Sequence, residues 1–225
     1  MASRIMHLAI ASQLEKILPI SDSNRFRIGH ILPDSVLSAD KRKVNTHFVE
    51  IFDNGKRKRF DFYEFFARYK KDILSDELYL GYYFHLIQDC IFRNVLYYDM
   101  GLISMRGDPN FLNQLYRDYH ILNGWAVEKY ELTNNLIEPE GYKSEKINNI
   151  FLFEVEDFIK DMQADFNEKS DEEPKHFKKK RAENFIEECV EVCVSEYKTI
   201  MDGSHAVSKY DYSWETKTAN IKSKE

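Results

Sequence analysis

The sequence predicts an all-α fold: a single-domain, multi-helix bundle around a buried central helix, with one small β-ribbon near residues 46–60. The stretch from Tyr79 to Leu96 is apolar on almost every face, so a helix there belongs inside the fold. Apolar residues recur at helical spacing along most of the remaining chain. One pair of short segments, joined by Asp53-Asn54-Gly55, has the pattern of a β-hairpin. With 225 residues, the chain can bury a substantial core as one domain.

Two helices are expected before the ribbon. The first covers residues 3–18, where apolar side chains keep helical spacing until Pro19 ends the pattern. A short second helix follows the capping candidates Ser21 and Asp22 and runs into the segment 29–34. The proline in that segment fixes the backbone just before a carboxylate, so a polar side chain is expected at a defined position there.

The ribbon and the helix after it have clear local signals. Residues 46–52 alternate between apolar and polar side chains, and residues 56–60 form a basic return strand. Asp61 and Glu64 have the spacing of a capping box, which indicates the start of a helix rich in aromatic residues. A two-stranded ribbon followed at once by a helix is therefore expected.

The central helix carries a polar stripe. Ser75 is expected to cap this helix, which should end near Asp99. His85 and Asp89 lie four residues apart and therefore share one face, and Gly81 leaves space one turn earlier. An imidazole and a carboxylate inside an apolar helix are costly unless a partner or a metal ion satisfies them. The stripe therefore predicts one wall of a metal site.

The second half of the chain is also predicted to be helical, because capping residues and apolar spacing recur. Its expected elements, in order, are a helix over 109–132, a polar loop over 133–146, a helix over 151–166, an exposed charged linker over 168–180, a helix with an apolar stripe over 185–200, and a polar tail after Gly203 that is mobile over 210–225.

Composition excludes several classes of function. The net charge is −6 and the sequence pI is about 5.7, so no positive field attracts nucleic acid or an anionic membrane. The first residues lack the apolar core of a signal peptide, and no run is apolar enough to span a bilayer. Three cysteines are too few for a disulfide framework, and Cys189 and Cys193 fit an apolar helix stripe. These features predict a cytoplasmic protein and indicate no oligomeric state.

Five residues in the first ninety could bind a metal ion. They are His7, Asp34, His47, His85 and Asp89. Two or three imidazoles with one or two carboxylates are a donor set that zinc takes in hydrolases, and manganese or iron is also possible. An ion held in this way can acidify a bound water molecule and polarise a phosphoryl oxygen. On its own, however, a histidine four residues from an aspartate most often forms a hydrogen bond with it.

The same segments carry a resemblance to a known family. The motifs are His7-Leu8-Ala9-Ile10-Ala11, Gly29 through Leu32-Pro33-Asp34, Thr46-His47-Phe48, and His85-Leu86-Ile87-Gln88-Asp89. In order and spacing they resemble the bacterial zinc-dependent phospholipase C family, which is all-helical and hydrolyses phosphodiesters with clustered metal ions. The resemblance implies that all five residues are metal ligands and that Asp34 is the general base.

The chain also departs from that family. The family has a further histidine shortly after the His-x-x-x-Asp motif and a later His-x-x-x-Glu, whereas this chain has no histidine between His85 and His120 and no later His-x-x-x-Glu. His120, with Asp118, could fill a second metal position. One or two ions are therefore expected rather than three. Arg93, one turn beyond Asp89, is a candidate phosphate contact.

These features predict a metal-dependent hydrolase of phosphate esters acting on a small phosphorylated substrate or a lipid head group. A nucleotide phosphohydrolase of the His-Asp dipeptide type is disfavoured, because the chain has no adjacent His-Asp pair. The alternative is a non-catalytic helical protein that binds a metal ion or a partner and retains part of such a site. The absence of the family's later ligands favours that alternative.

Overall fold

The computed structural model describes residues 2–35, 45–140, 155–208 and 210–216. Most of these residues are helical, and three short strands form one antiparallel sheet. The elements of these ranges are α1 (Arg4–Leu14), α2 (Ser23–Ile31), β1 (Val49–Phe52), β2 (Arg57–Phe60), α3 (Phe62–Ile73), α4 (Glu77–Asn94), α5 (Pro109–Lys129), α6 (Val155–Asn167), α7 (Lys179–Met201) and β3 (Trp214–Glu215).

Helix α4 is the centre of the fold. All its residues from Leu80 to Phe92 are buried, because α1, α2, α3 and α7 all pack against it. Its N-cap is Asp76, whose carboxylate accepts the backbone N–H of Leu78, and not Ser75 as predicted. The Ser75 hydroxyl instead donates to a carbonyl in the preceding helix. The central helix of the prediction is thus confirmed, with its cap one residue later.

Helices α2 and α4 approach each other closely at two glycines. A Cβ atom at Gly81 would lie 2.3 Å from the carbonyl oxygen of Phe26, and one at Gly29 would lie 2.2 Å from that of Leu78. Neither distance is compatible with a side chain, so only glycine permits this backbone contact. The contact brings the carbonyl of His30 within 2.7 Å of the His85 ring. Gly81 therefore positions a neighbouring helix rather than opening space.

The sheet contains a third strand that the sequence did not reveal. Strands β1 and β2 pair in antiparallel register, as predicted for the ribbon. Strand β3 adds to β2, with Lys58 opposite Trp214. Trp214 is 2% exposed and packs edge-on against Phe60 at a centroid distance of 5.0 Å. This strand lies in the tail over 210–225 that was predicted to be mobile, and residues 217–225 lie outside the described ranges.

The predicted exposed linker over 168–180 is anchored near its end. The buried carboxylate of Asp118 accepts the backbone N–H groups of Lys175, His176 and Phe177 at 2.6–2.9 Å. Phe177 is fully buried. Residues 169–173 are exposed as predicted, but the burial of Phe177 was not expected, because a long-range hydrogen bond cannot be inferred from local charge.

The first predicted helix is shorter in the structure than expected. It ends at Leu14 rather than at residue 18, and a series of turns follows it. The helix predicted over 151–166 is seen as α6, and its residues 151–154 lie outside the described ranges. No helix in the described part of the chain is long and apolar enough to cross a membrane.

The glycine contact gives a stability prediction. Gly81→Ala should destabilise the fold by about 1–3 kcal/mol, because the new methyl group overlaps a backbone oxygen that cannot move alone. The free energy of unfolding, measured with a chemical denaturant, tests this. The control is Asn113→Ala, an exposed position on helix α5. An unchanged or higher stability of Gly81→Ala would contradict the close contact.

Candidate metal centre

The five predicted ligands come from four separate segments of the chain. His7 lies on α1, Asp34 lies in a short 3-10 turn after α2, His47 precedes β1, and His85 and Asp89 lie on α4. Their side chains are 0–1% exposed, except that of Asp34, which is 8% exposed. A cluster of imidazoles and carboxylates is thus buried beside the central helix.

Three donor atoms form a nearly equilateral triangle. The Nε2 atoms of His47 and His85 are 3.3 Å apart, and the Oδ2 atom of Asp89 lies 3.5 Å from the first and 3.6 Å from the second. Zinc bound at tetrahedral angles to nitrogen and oxygen separates neighbouring ligand atoms by roughly 3.3–3.6 Å. The triangle therefore matches one face of a zinc coordination shell.

Asp34 borders this triangle. Its Oδ1 atom lies 3.5 Å from Nε2 of His47. The donor atoms of Asp34, His47 and His85 all lie within 4.8 Å of one another. Asp34 can therefore act either as a further ligand to the same ion or as a base beside it.

Hydrogen bonds at the far sides of the rings orient the histidines. The Nδ1–H group of His85 donates to the carbonyl of His30 at 2.7 Å, and that of His7 donates to the Oε1 atom of Gln88 at 2.7 Å. Because these acceptors have no proton to give, the Nε2 atom of each ring presents a lone pair to the cluster when the ring is neutral. Metal-binding histidines commonly have such a partner on the second nitrogen.

One oxygen of Asp89 has no hydrogen-bond donor among the described residues. This atom is Oδ2, the corner of the triangle, and the Nε2 atom of His7 is likewise without a partner there. A lone pair of the neutral His85 ring and a carboxylate oxygen of Asp89 thus face each other at 3.6 Å in the buried interior. Such an arrangement is unfavourable unless a proton or a cation lies between the two atoms.

The pKa values of the buried ligands shift in different directions. Burial disfavours a charge on Asp89, yet the positive charge of the N-terminus, followed by the contacts with His7 and His85, holds its pKa well below the ordinary value. Burial lowers the pKa values of His7 and His47, so these rings are neutral near neutral pH. Burial also opposes a charge on His85, but Asp89 raises the pKa of that ring. A divalent cation would replace the proton that Asp89 attracts to His85.

A second group shares residues with the first. The donor atoms of His7, His85 and Asp89 also lie within 4.8 Å of one another. Oδ1 of Asp89 lies 3.5 Å from Nε2 of His7 and accepts the backbone N–H of Ala2 at 3.0 Å. His85 has only one nitrogen left for a ligand bond, since its Nδ1 is taken, so the two groups compete for it. Of the one or two ions predicted, the geometry therefore favours one.

The structure does not bring His120 and Asp118 to the centre. The His120 side chain is 63% exposed and pairs with Glu168, and Asp118 accepts the three backbone N–H groups described above. Neither belongs to a group of metal-binding side chains in the described part of the chain. Arg93 donates to the hydroxyl of Tyr97 at 2.6 Å and forms no hydrogen bond or salt bridge with the five ligands among the described residues, although the charge of Asp89 acts on it.

Two residues outside the predicted ligand set support the ligands. The His30 ring is structural, as its Nδ1 bonds to the carbonyl of Phe26, but its own carbonyl orients His85. Gln88 orients His7. The only sequence feature that could indicate this role of Gln88 is its position next to Asp89 on the polar side of a buried helix.

The geometry predicts the stoichiometry of metal binding. Protein purified without chelator should contain about one zinc ion per chain, and His85→Ala should lose it, because His85 belongs to both groups. His120→Ala is the control and should keep its zinc. Elemental analysis of the folded proteins measures both. Equal zinc content in the two variants would contradict the assignment.

Comparisons of the chain with protein-family models, with curated protein sequences and with solved structures found no significant match. The resemblance to the zinc-dependent phospholipase C family therefore stays a prediction based on a few short motifs.

Proposed function

We propose that this protein is a zinc-dependent hydrolase of phosphate esters. The observation that supports the proposal best is the triangle of His47, His85 and Asp89, with edges of 3.3–3.6 Å and Asp34 at its border. Catalytic zinc sites have three protein ligands and an open position, whereas structural sites have four protein ligands. In the proposed enzyme, His47, His85 and Asp89 are the three ligands.

The residues of the centre have separate proposed roles. His47 and His85 supply neutral nitrogen donors, and Asp89 supplies a negative charge that partly neutralises a divalent ion. When bound here, zinc supplies Lewis acidity and lowers the pKa of a bound water molecule. Asp34, the most exposed of the five side chains, is the proposed general base that accepts a proton from water.

The proposed substrate class is inferred from the reactivity of a metal ion beside a carboxylate, and not from the shape of a pocket. Phosphate esters are suitable substrates because an ion beside a carboxylate can both polarise a phosphoryl oxygen and aid proton removal. A small phosphorylated molecule or a lipid head group would carry that ester. Manganese or iron could replace zinc, since imidazole and carboxylate bind all three.

One observation favours the non-catalytic alternative, a structural or sensory metal site. His7, His85 and Asp89 have no solvent-exposed side-chain surface, so three of the five ligands are inaccessible to a substrate. In this alternative, Asp34 completes a closed shell of four ligands around the ion. The two functions therefore differ in the role of Asp34.

The Asp34→Asn variant separates these functions. In the hydrolase, the zinc should remain, since three ligands are intact, and turnover should fall by about 100-fold or more because the base is lost. Bis(p-nitrophenyl) phosphate and p-nitrophenyl phosphate are the substrates, so that diesterase and monoesterase activities are both measured. Asp99→Asn, an exposed carboxylate, is the control and should keep wild-type activity.

Two outcomes would contradict the hydrolase. One is zinc-loaded wild-type protein with no turnover of either ester and a loss of zinc in Asp34→Asn, which indicates a closed structural shell. The other is full turnover in Asp34→Asn, which would remove the proposed base.

A further inference from the structure

A cluster of positive charges lies beyond the metal centre, on the far side of Phe60. The His47 ring packs against Phe60 at a centroid distance of 5.4 Å, and Phe60 packs against Trp214 at 5.0 Å. The Nζ atom of Lys58 and the guanidinium carbon of Arg93 each lie 5.8 Å from the centre of the Trp214 ring. Two cations thus share one buried tryptophan.

A third cation joins them at Tyr97. The guanidinium carbons of Arg93 and Arg106 lie 5.4 Å and 5.9 Å from the centre of the Tyr97 ring. We define Lys58, Arg93 and Arg106 as the cationic cluster. All three side chains are partly buried. They come from β2, from the end of α4 and from the loop before α5, so only the tertiary structure brings them together.

No carboxylate of the described residues forms a salt bridge with these three cations, although Tyr97 and then Asp89 raise the pKa of Arg93 against the effect of its burial. Arg93 donates to the Tyr97 hydroxyl, and its Nε atom is buried without a hydrogen bond in the described part of the chain. Arg106 donates to the backbone oxygen of Glu215, whereas the carboxylate of Glu215 accepts from Tyr98 at 2.7 Å. The cluster therefore has hydrogen-bond donors left for a ligand.

The two arginines act on the lysine. Burial lowers the pKa of Lys58, and the positive charges of Arg93 and Arg106 lower it further. Contacts between cations and aromatic rings are favourable, but they do not require like charges to gather at one place. A fold that holds three partly buried cations together gains stability when an anion binds among them.

We propose that the cationic cluster is a binding site for a phosphate group, either free phosphate or the monoester of a small molecule. Arginine offers a fork of N–H donors that fits phosphate oxygens, and lysine adds a point charge. A dianion would neutralise most of the cluster, whereas a monoanionic carboxylate would neutralise less. This site is distinct from the metal centre and does not depend on the proposed hydrolase activity.

Trp214 provides a direct readout. The chain has two tryptophans, so Trp125→Phe leaves Trp214 as the only one. In metal-free protein of this background, inorganic phosphate and glycerol 3-phosphate should each change the Trp214 emission with a saturable dependence. Acetate and chloride at equal ionic strength should not. A larger response to the monoester would identify a phosphorylated molecule as the preferred ligand, and a larger response to phosphate the free ion.

Charge-removing variants complete the test. Arg93→Gln and Arg106→Gln should each weaken phosphate binding by about 10-fold or more, because each removes a charged donor. Arg117→Gln, which removes an exposed arginine paired with Glu172, is the control and should bind as the parent does. If Arg93→Gln fails to fold, Lys58→Gln takes its place. A response that does not saturate, or equal affinity in the parent, Arg93→Gln and Arg106→Gln, would overturn the proposal.

Discussion

The burial of polar groups inside α4 is the constraint on which the rest of the structure depends. His85 and Asp89 have no exposed side-chain surface, and helices surround α4 on several sides. In such an interior, a lone pair or a carboxylate without a partner costs free energy of the order of a lost hydrogen bond or more. The surrounding segments are therefore arranged to give these two residues partners.

A buried carboxylate needs a hydrogen-bond donor or a cation, and three buried carboxylates of this protein differ in their partners. Asp118 accepts three backbone N–H groups. Glu196 accepts hydrogen bonds from Tyr83, His205 and the backbone of residues 206–207. Both are satisfied by the protein alone and fix distant segments. Asp89 instead directs an oxygen without a donor, among the described residues, at imidazole nitrogens. This difference from the other two carboxylates is the strongest argument for a cation beside Asp89.

The supporting contacts also explain how α2 contributes to the centre. Its close approach to α4 at Gly29 and Gly81 places the carbonyl of His30 on the His85 ring. The same helix leads directly into the turn that carries Asp34. One backbone contact thus orients a ligand of the triangle and positions the proposed base.

The sequence by itself determined the helical class, the ribbon, the buried central helix and the face shared by His85 and Asp89, because each depends on local spacing, capping or a turn. Only the tertiary structure decided that His7 joins the centre while His120 pairs with Glu168 at the surface. It also added the third strand through Trp214 and assembled Lys58, Arg93 and Arg106 around two aromatic rings. These features depend on contacts between residues far apart in the chain, so no local pattern of side chains can predict them.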